Sequence, residues 1–551
     1  MTWQQIAAEK KSRQLDSVPK EWLSSDLPSA EALNVIDFPQ ESNVLSALDL
    51  EITESSVAGL LSNLALSKWS AVQVTTSFYK RAIVAQQLVK IFVDRALARA
   101  KTLDEHLKTT GQVVGALHGL PISLKDQISI KGIESTIGTI ATIVPMFFSK
   151  MCSGYVSLVG QFAEKDSVLV DILESLGAIP FVKTNVPQTL MWPETFNHVF
   201  GRTTNPYNRS LTSGGSSGGE GALIALKGSP LGVGSDIGGS IRIPSAFCGV
   251  YGFRPSYNRI PYAGCVNSLE GEDSVLSVLG PLSNTLDGIK TFYKAVLSKE
   301  PWLKDPMVIR KRWSDEDYNL IDHGNGKKLC FAIMWDNGGS CTPPSLIDWV
   351  PHNSAEMTKT IGAIWNAGAA EDFEKATAPS GEPVIASMGL LQEDEAPLFR
   401  PSSAGISAFE LWQLHKKKRD LRQEYLKHWE DTVSQTGTGR PVDAIISPIA
   451  PHTAGPHGSM KIGSYTMWLN LVDYPSMVIP VSQVDPALDV KQPREEFYST
   501  EDQENHELYN PATYENAPIS IQVIGRGGEE EAVIAMSEIV DEALRVAKSK
   551  L

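Results

Sequence analysis

Apolar residues recur along this chain at two spacings. Leu169, Ile172, Leu173 and Leu176 stand three and four residues apart, the spacing of one helix face, with Asp166 placed as N-cap and Gly177 as the stop. The run AIPFVKT that follows reads as a strand. The same alternation returns further on: GALIALKG predicts a helix and PLGVGSD a buried strand behind it. VDAIISP, SMVIPV and ISIQVIG predict three later strands. Glu529–Lys548 predicts a closing amphipathic helix, with Val533, Met536, Val540 and Leu544 on one face. Helix and strand patterns in alternation predict an α/β protein, one sheet covered by helices. Residues 1–50 read as a polar, helical arm, and 485–515 as an acidic, proline-containing loop. No internal repeat and no low-complexity tract breaks this pattern.

Composition narrows the function classes. The chain has 551 residues, 42% of them hydrophobic, which is ample for a large core. Its net charge of −15 argues against a nucleic-acid partner. Cysteines stand at 152, 248, 265, 330 and 341, an odd number without a C-x-x-C pair, so reduced thiols in a non-secretory compartment are expected. The opening MTWQQIAAEKKSRQLDS carries no apolar core of a signal peptide. Thr136–Gly160 is largely apolar, but Pro145 and Lys150 interrupt it, so a buried segment is expected and no membrane span.

The densest chemical signal lies between Ser213 and Ser256, a window rich in glycine and serine and empty of histidine. Three readings compete for it. A Walker-type phosphate loop would end in Gly-Lys-Ser/Thr, which GGSSGGEG lacks. A purely structural glycine turn is the second. The third is an acyl-transfer site: Ser240 follows Ile237, Gly238 and Gly239, whose backbone N–H groups can converge on a developing oxyanion. Pro244 then suits the first turn of a helix. Such a serine needs a base, and single histidines such as His118 and His198 read as structural. A lysine whose burial keeps it neutral can serve instead. Lys125, after the alternating run LPISL, is the candidate, against the ordinary reading of a solvated surface lysine.

Three blocks in order, GLPISLKDQ, GGSSGGEGALIA and GVGSDIGGSIRIPSAFCGVYGFRPS, resemble the amidase signature family. The resemblance runs from about Ile52 to the last residue. TWQQIAAEKK, VPKEW, TNVPQTLM, SGEP and APISIQVIGR are similar to the fungal acetamidase-type members. It implies a single catalytic domain over residues 51–551, with a mixed central sheet covered by helices on both faces. It implies Ser240 as the acyl-ester nucleophile. Ser216 would be the bridging serine, in a cis peptide bond, and Lys125 the base that acts through it. Ile237, Gly238 and Gly239 would supply oxyanion N–H groups, so that with Ser216 and Ser240 they also bind substrate. Leu190 and Met191 would line the acyl pocket. Ser217, Asp236 and Arg242 would brace the site. No cofactor and no metal is implied.

Two stretches depart from the family pattern. Residues 139–154 are an atypical insertion, and after Ile364–Ala369 the chain reaches SGEP without the usual strand, which would open a sheet edge. The resemblance implies hydrolysis of a linear carboxamide to a carboxylic acid and ammonia or an amine. The competing expectations are a catalytically silent or amidotransferase-subunit-like relative and, within enzymes, a fatty acid amide or arylacetamide substrate. Beyond the small amide, the candidate partners are a second copy of the chain and a peroxisomal import receptor. The receptor follows from Ser549, Lys550 and Leu551, the S-K-L tripeptide of peroxisomal matrix proteins, with the cytoplasm as the alternative address.

Overall fold

The computed structural model describes residues 1–29, 31–89, 96–133, 154–335, 346–388, 405–460, 465–497 and 499–549. Its strands, in chain order, begin with β1 (Pro121–Lys125), β2 (Ile179–Thr184), β3 (Phe196–Asn197) and β4 (Gly201–Arg202). β5 (Leu231–Asp236), β6 (Tyr251–Arg254), β7 (Val278–Ser283) and β8 (Phe331–Ile333) follow. β9 (Leu346–Asp348), β10 (Ala444–Ser447), β11 (Ser476–Gln483) and β12 (Pro518–Ile524) complete the set. β3 and β4 form a small ribbon. The others build one ten-stranded sheet in the order β2-β1-β5-β7-β6-β11-β12-β10-β8-β9. β1 runs parallel to β2 and β5, and β10 parallel to β8, while the strands between pair antiparallel. The sheet is therefore mixed, as expected, and every strand read from the sequence lies in it.

β1, β2 and β5 are buried along their whole length, the condition of parallel strands covered by helices. The helices Val168–Ser175, Gly218–Ala225, Leu286–Ser298 and Glu530–Lys548 share one apolar core with them. In the last helix Val533 and Met536 are fully buried, and Val540 and Leu544 are half-buried against that core. The first of these helices is capped by Ser167, not Asp166: the Ser167 hydroxyl accepts the Val170 N–H at 3.3 Å. The carboxylate of Asp166 is engaged elsewhere, accepting the Lys131 N–H at 2.6 Å.

The first fifty residues are tied to the body. Their opening helix, Trp3–Ser17, lays Trp3 and Ile6 against Val156, Val199 and Phe200. Further along, Val35 and Leu33 exchange backbone hydrogen bonds with Pro206 and Arg209. Within 485–515 the structure places a helix, Thr500–Leu508, where a loop was expected. Ser499 caps it through the Asp502 N–H, and Arg494 holds the Asp502 carboxylate, so local polar contacts order a segment without an apolar face. Residues 139–153 of the insertion lie outside the described residues. Downstream of it, Tyr155 and Val156 are buried. Among the described residues no helix is long and apolar enough to cross a membrane. Past Ile364–Ala369 the chain continues as the helix Ala369–Thr377, and β9 is the edge strand on that side of the sheet.

The pairing of β1 with β5 positions the chemistry. Ser123 faces Gly232 and Leu124 faces Val233 in parallel register, so Lys125 and Asp236, the last residues of the two strands, reach the same end of the sheet. Ligands of parallel sheets bind outside the carboxyl ends of the strands.

Candidate active site

Lys125 is fully buried, and its Nζ lies 2.8 Å from Ser216 Oγ and 2.7 Å from Ser235 Oγ. Hydrogen-bond direction here is dictated by the neighbours. The Val266 carbonyl can only accept, so the Gln127 amide NH2 faces it at 2.9 Å and reaches Tyr262 Oη at 2.8 Å. Gln127 Oε1 therefore faces Ser235, whose hydroxyl donates to it at 2.6 Å. Ser235 must then accept from Lys125. One lysine N–H is thus committed, and the lone pair of the free amine can turn to the Ser216 hydroxyl.

Burial pushes Lys125 down to about 7, against the opposing pull of Asp236 and Glu220. A large share of the free amine is present at neutral pH. Glu220 sits behind, held by the hydroxyls of Ser123 at 2.6 Å and Thr184 at 2.8 Å, and burial pushes its carboxyl up to about 8.

The turn after β5 is held by one carboxylate. Asp236 accepts from Arg242 Nε at 3.0 Å and Nη2 at 2.9 Å, a two-pronged pair with both side chains fully buried. It also accepts from Asn470 Nδ2 at 3.0 Å and from the N–H groups of Gly239 at 2.9 Å and Ile241 at 3.1 Å. Burial alone would raise this carboxyl. The Arg242 charge and hydrogen bonds outweigh it and hold Asp236 well below the usual carboxylate range. Arg242 in turn donates to the Thr466 carbonyl at 3.0 Å and to Asn470 Oδ1 at 2.6 Å. Gly239 has φ +134°, and a Cβ there would stand 2.5 Å from Thr466 Oγ1, so only glycine fits this bend.

Ser216 follows a cis Gly215–Ser216 peptide bond. Its neighbour Ser217 donates its N–H to the Ser240 carbonyl at 3.2 Å, and its hydroxyl bonds the backbone of Ser235. Both serine-bearing turns and the end of β1 are thus laced together. Ser240 itself is 9% exposed and opens onto a cavity of about 40 Å³. Leu190, Met191, Trp192, Ile237, Trp365 and Met467 line it, with Gly215 and Gly238 beside the serine. Thr189 and Leu190 both have positive φ, at 72° and 60°, the backbone cost of bringing Leu190 to the cavity. The SGEP segment braces this loop: Glu382 accepts from Gln188 Nε2 at 2.9 Å, and Gln188 Oε1 accepts the Ile385 N–H at 2.6 Å.

The structure therefore gathers Lys125, Ser216, Ser217, Asp236, Ile237, Gly238, Ser240 and Arg242 at one end of the sheet, with Leu190 and Met191 on the cavity wall. Gly239 differs from expectation in one respect. Its N–H is engaged by Asp236, whereas those of Ile237 and Gly238 have no partner among the described residues. His118 and His198 stand elsewhere, bonding Val114 N–H and the Pro383 carbonyl. Ser235 and Gln127 were missed although both lie inside the recognised blocks; a serine one residue before Asp236 and a glutamine two after Lys125 carried no separate signal. Trp365 and Met467 come from distant segments, and only the folded chain brings them to Ser240.

A buried lysine hydrogen-bonded to one serine and a second serine facing a small apolar cavity thus meet at one end of the mixed sheet. The amidase family model matches residues 73–144, 149–365 and 397–534, and the chain belongs to this family. The chain is similar to an acetamidase of Emericella nidulans, at 38% identity covering 98% of each chain. It is also similar to an acetamidase of Aspergillus oryzae, at 36% identity covering 98% of this chain and 99% of the other. Among solved structures, a fatty acid amide hydrolase superposes with a TM-score of 0.84 at 28% identity, covering 98% of this chain and 95% of that one. The protein is an amidase, a hydrolase acting on amides.

Proposed function

We propose that this amidase hydrolyses short linear carboxamides through Ser240, Ser216 and Lys125. The observation that carries the short-acyl reading is the cavity beside Ser240. Its 40 Å³ offers room for about three water-sized groups, at roughly 10–15 Å³ each, which suits an acetyl group. A fatty acyl chain or an arylacetyl group would need space beyond it, so the cavity favours the short acyl group over those alternatives. The acetamidase relatives point the same way.

In this reading the free amine of Lys125 accepts the Ser216 hydroxyl proton while Ser216 takes the proton of Ser240. Ser240 Oγ forms a bond to the carbonyl carbon, and the negative charge moves to the carbonyl oxygen, toward the N–H groups of Ile237 and Gly238. Collapse breaks the carbon–nitrogen bond, and the leaving nitrogen receives the proton returned through Ser216. Water then repeats the sequence on the acyl ester and releases the acid. The lysine geometry, its lowered affinity for a proton and the donor order set by Gln127 support these roles. Hydrolysis of acetamide by the purified protein, followed as ammonia release, tests the substrate. Mass spectrometry of fluorophosphonate-treated protein tests the nucleophile, and label on any residue other than Ser240 overturns it.

The address is a separate part of this reading. The tripeptide 549–551 supports import into the peroxisomal matrix, read by a receptor as an address and anchoring nothing. An N-terminal fluorescent fusion is expected to coincide with a peroxisomal marker and to become diffuse without Leu551. Diffuse fluorescence of the intact fusion would count against it.

A further inference from the structure

Trp365 forms part of the wall of the cavity that Ser240 opens onto. It lies near the end of the helix Ser354–Asn366, 125 residues beyond Ser240 in sequence, and is 3% exposed. Its ring lines the cavity opposite the glycines of the nucleophile turn: a Cβ built on Gly238 would stand 3.0 Å from Trp365 Cη2 and 3.6 Å from Met467 Cγ. The indole therefore touches the segment whose N–H groups face the reacting carbonyl.

What lies behind the indole is apolar. Trp365 belongs to a second core, built with Ile361, Ile364, Phe373, Tyr425, Trp468 and their neighbours. Removing the indole would thus extend the cavity into an apolar interior, the environment a methylene chain prefers to water. The other walls offer less. Leu190 and Met191 belong to a loop locked by positive φ and by the Gln188–Glu382 brace, and Ile237 belongs to the oxyanion turn itself.

We infer that Trp365 is the residue that sets the upper limit of acyl length in this enzyme, closing a pocket that the rest of the fold would leave open to longer aliphatic amides. The inference rests on the short-acyl reading above. It makes Trp365 a specificity determinant and gives it no part in proton transfer.

The test uses the full-length protein with acetamide, butyramide and hexanamide, together with Trp365→Ala and the bulkier Trp365→Leu. Each preparation is first titrated with a fluorophosphonate, so that rates refer to competent Ser240 and a poorly folded variant is corrected for. One buried methylene typically changes discrimination about 10- to 200-fold. Wild type is expected to favour acetamide over hexanamide by at least about 100-fold in kcat/KM on that basis. Both variants are expected to bring the ratio within tenfold or to invert it, Trp365→Ala further than Trp365→Leu, with the acid limb of the pH profile unmoved. If wild type turns over hexanamide as well as acetamide, the short-acyl reading itself fails. If wild type discriminates and both titratable variants keep its ratio, the reading stands and the assignment to Trp365 is overturned. A shifted acid limb in the variants would also overturn it, because it would place Trp365 among the groups that act on Lys125.

Discussion

The two walls of the reaction centre are built on different principles. The polar wall, Lys125, Gln127, Ser216, Ser235, Asp236 and Arg242, is drawn mainly from two adjoining strand ends and the turns after them. Most of its members are held by several hydrogen bonds. The apolar wall, Leu190, Met191, Trp192, Trp365 and Met467, is assembled from three remote segments. The first wall has little freedom: an unmatched polar atom in it costs about 1–3 kcal/mol. The second tolerates exchange of one shape for another, since volume-conserving apolar swaps cost less than about 1.5 kcal/mol. Chemistry and selectivity can therefore change separately in this fold.

Breaking the polar wall should have the largest effects. Ser240→Ala is expected to abolish turnover and fluorophosphonate labelling while leaving the thermal melt within a few degrees of wild type, checked by calorimetry and mass spectrometry. Lys125→Ala should lower kcat by about 10²–10⁴-fold, the usual contribution of a general base. Wild-type kcat/KM should rise with pH through about 7 and level off above it, because Lys125 is protonated below that value and a free amine above it. A profile flat between pH 5 and 9 would remove Lys125 from the base role. Arg242→Ala leaves Asp236 charged and buried, and should cost about 3–5 kcal/mol of stability in denaturant titration, as other one-sided losses of buried pairs do. Ser235→Ala should leave the fold intact and lower kcat by roughly tenfold, the order expected when one net hydrogen bond of about 1.5 kcal/mol that orients the base is lost. The smallest effect belongs to the apolar wall. Met467→Leu should cost less than about 1.5 kcal/mol in stability and alter the ratio between acetamide and butyramide more than it alters the pH profile. If it moved the acid limb instead, the separation of the two walls would be wrong.

What the sequence disclosed follows the same division. Much of the polar wall was legible because Ser216, Asp236, Ser240 and Arg242 share one glycine-rich window and Lys125 lies in a block of its own that resembles the family. Lys125, Ser216, Ser240, Asp236 and Arg242 could all be named from three contiguous blocks. The strands were legible for a similar reason, since a period of two or an unbroken apolar run is a property of neighbours. Trp365 and Met467 were not, because a tryptophan in an amphipathic helix has the same local pattern whether it faces a core or a substrate. Ser167 takes the capping place expected of Asp166 because both residue types cap helices, and the Asp166 carboxylate is drawn away by a neighbour in space, the Lys131 N–H. The helix at Thr500–Leu508 escaped notice because polar contacts hold it, with no apolar stripe to betray it.

The two walls also meet at Thr466. Thr466 offers its carbonyl to Arg242 and its hydroxyl to the Gly238 carbonyl at 2.7 Å, and the next residue is Met467. For anyone reshaping this enzyme toward bulkier amides, position 467 is consequently the tethered side of the pocket. A side chain there cannot be enlarged far without dragging on the turn that carries Ser240. Position 365 belongs to the helix Ser354–Asn366, remote in sequence from that turn, and is the side from which a library of substrate ranges can be drawn.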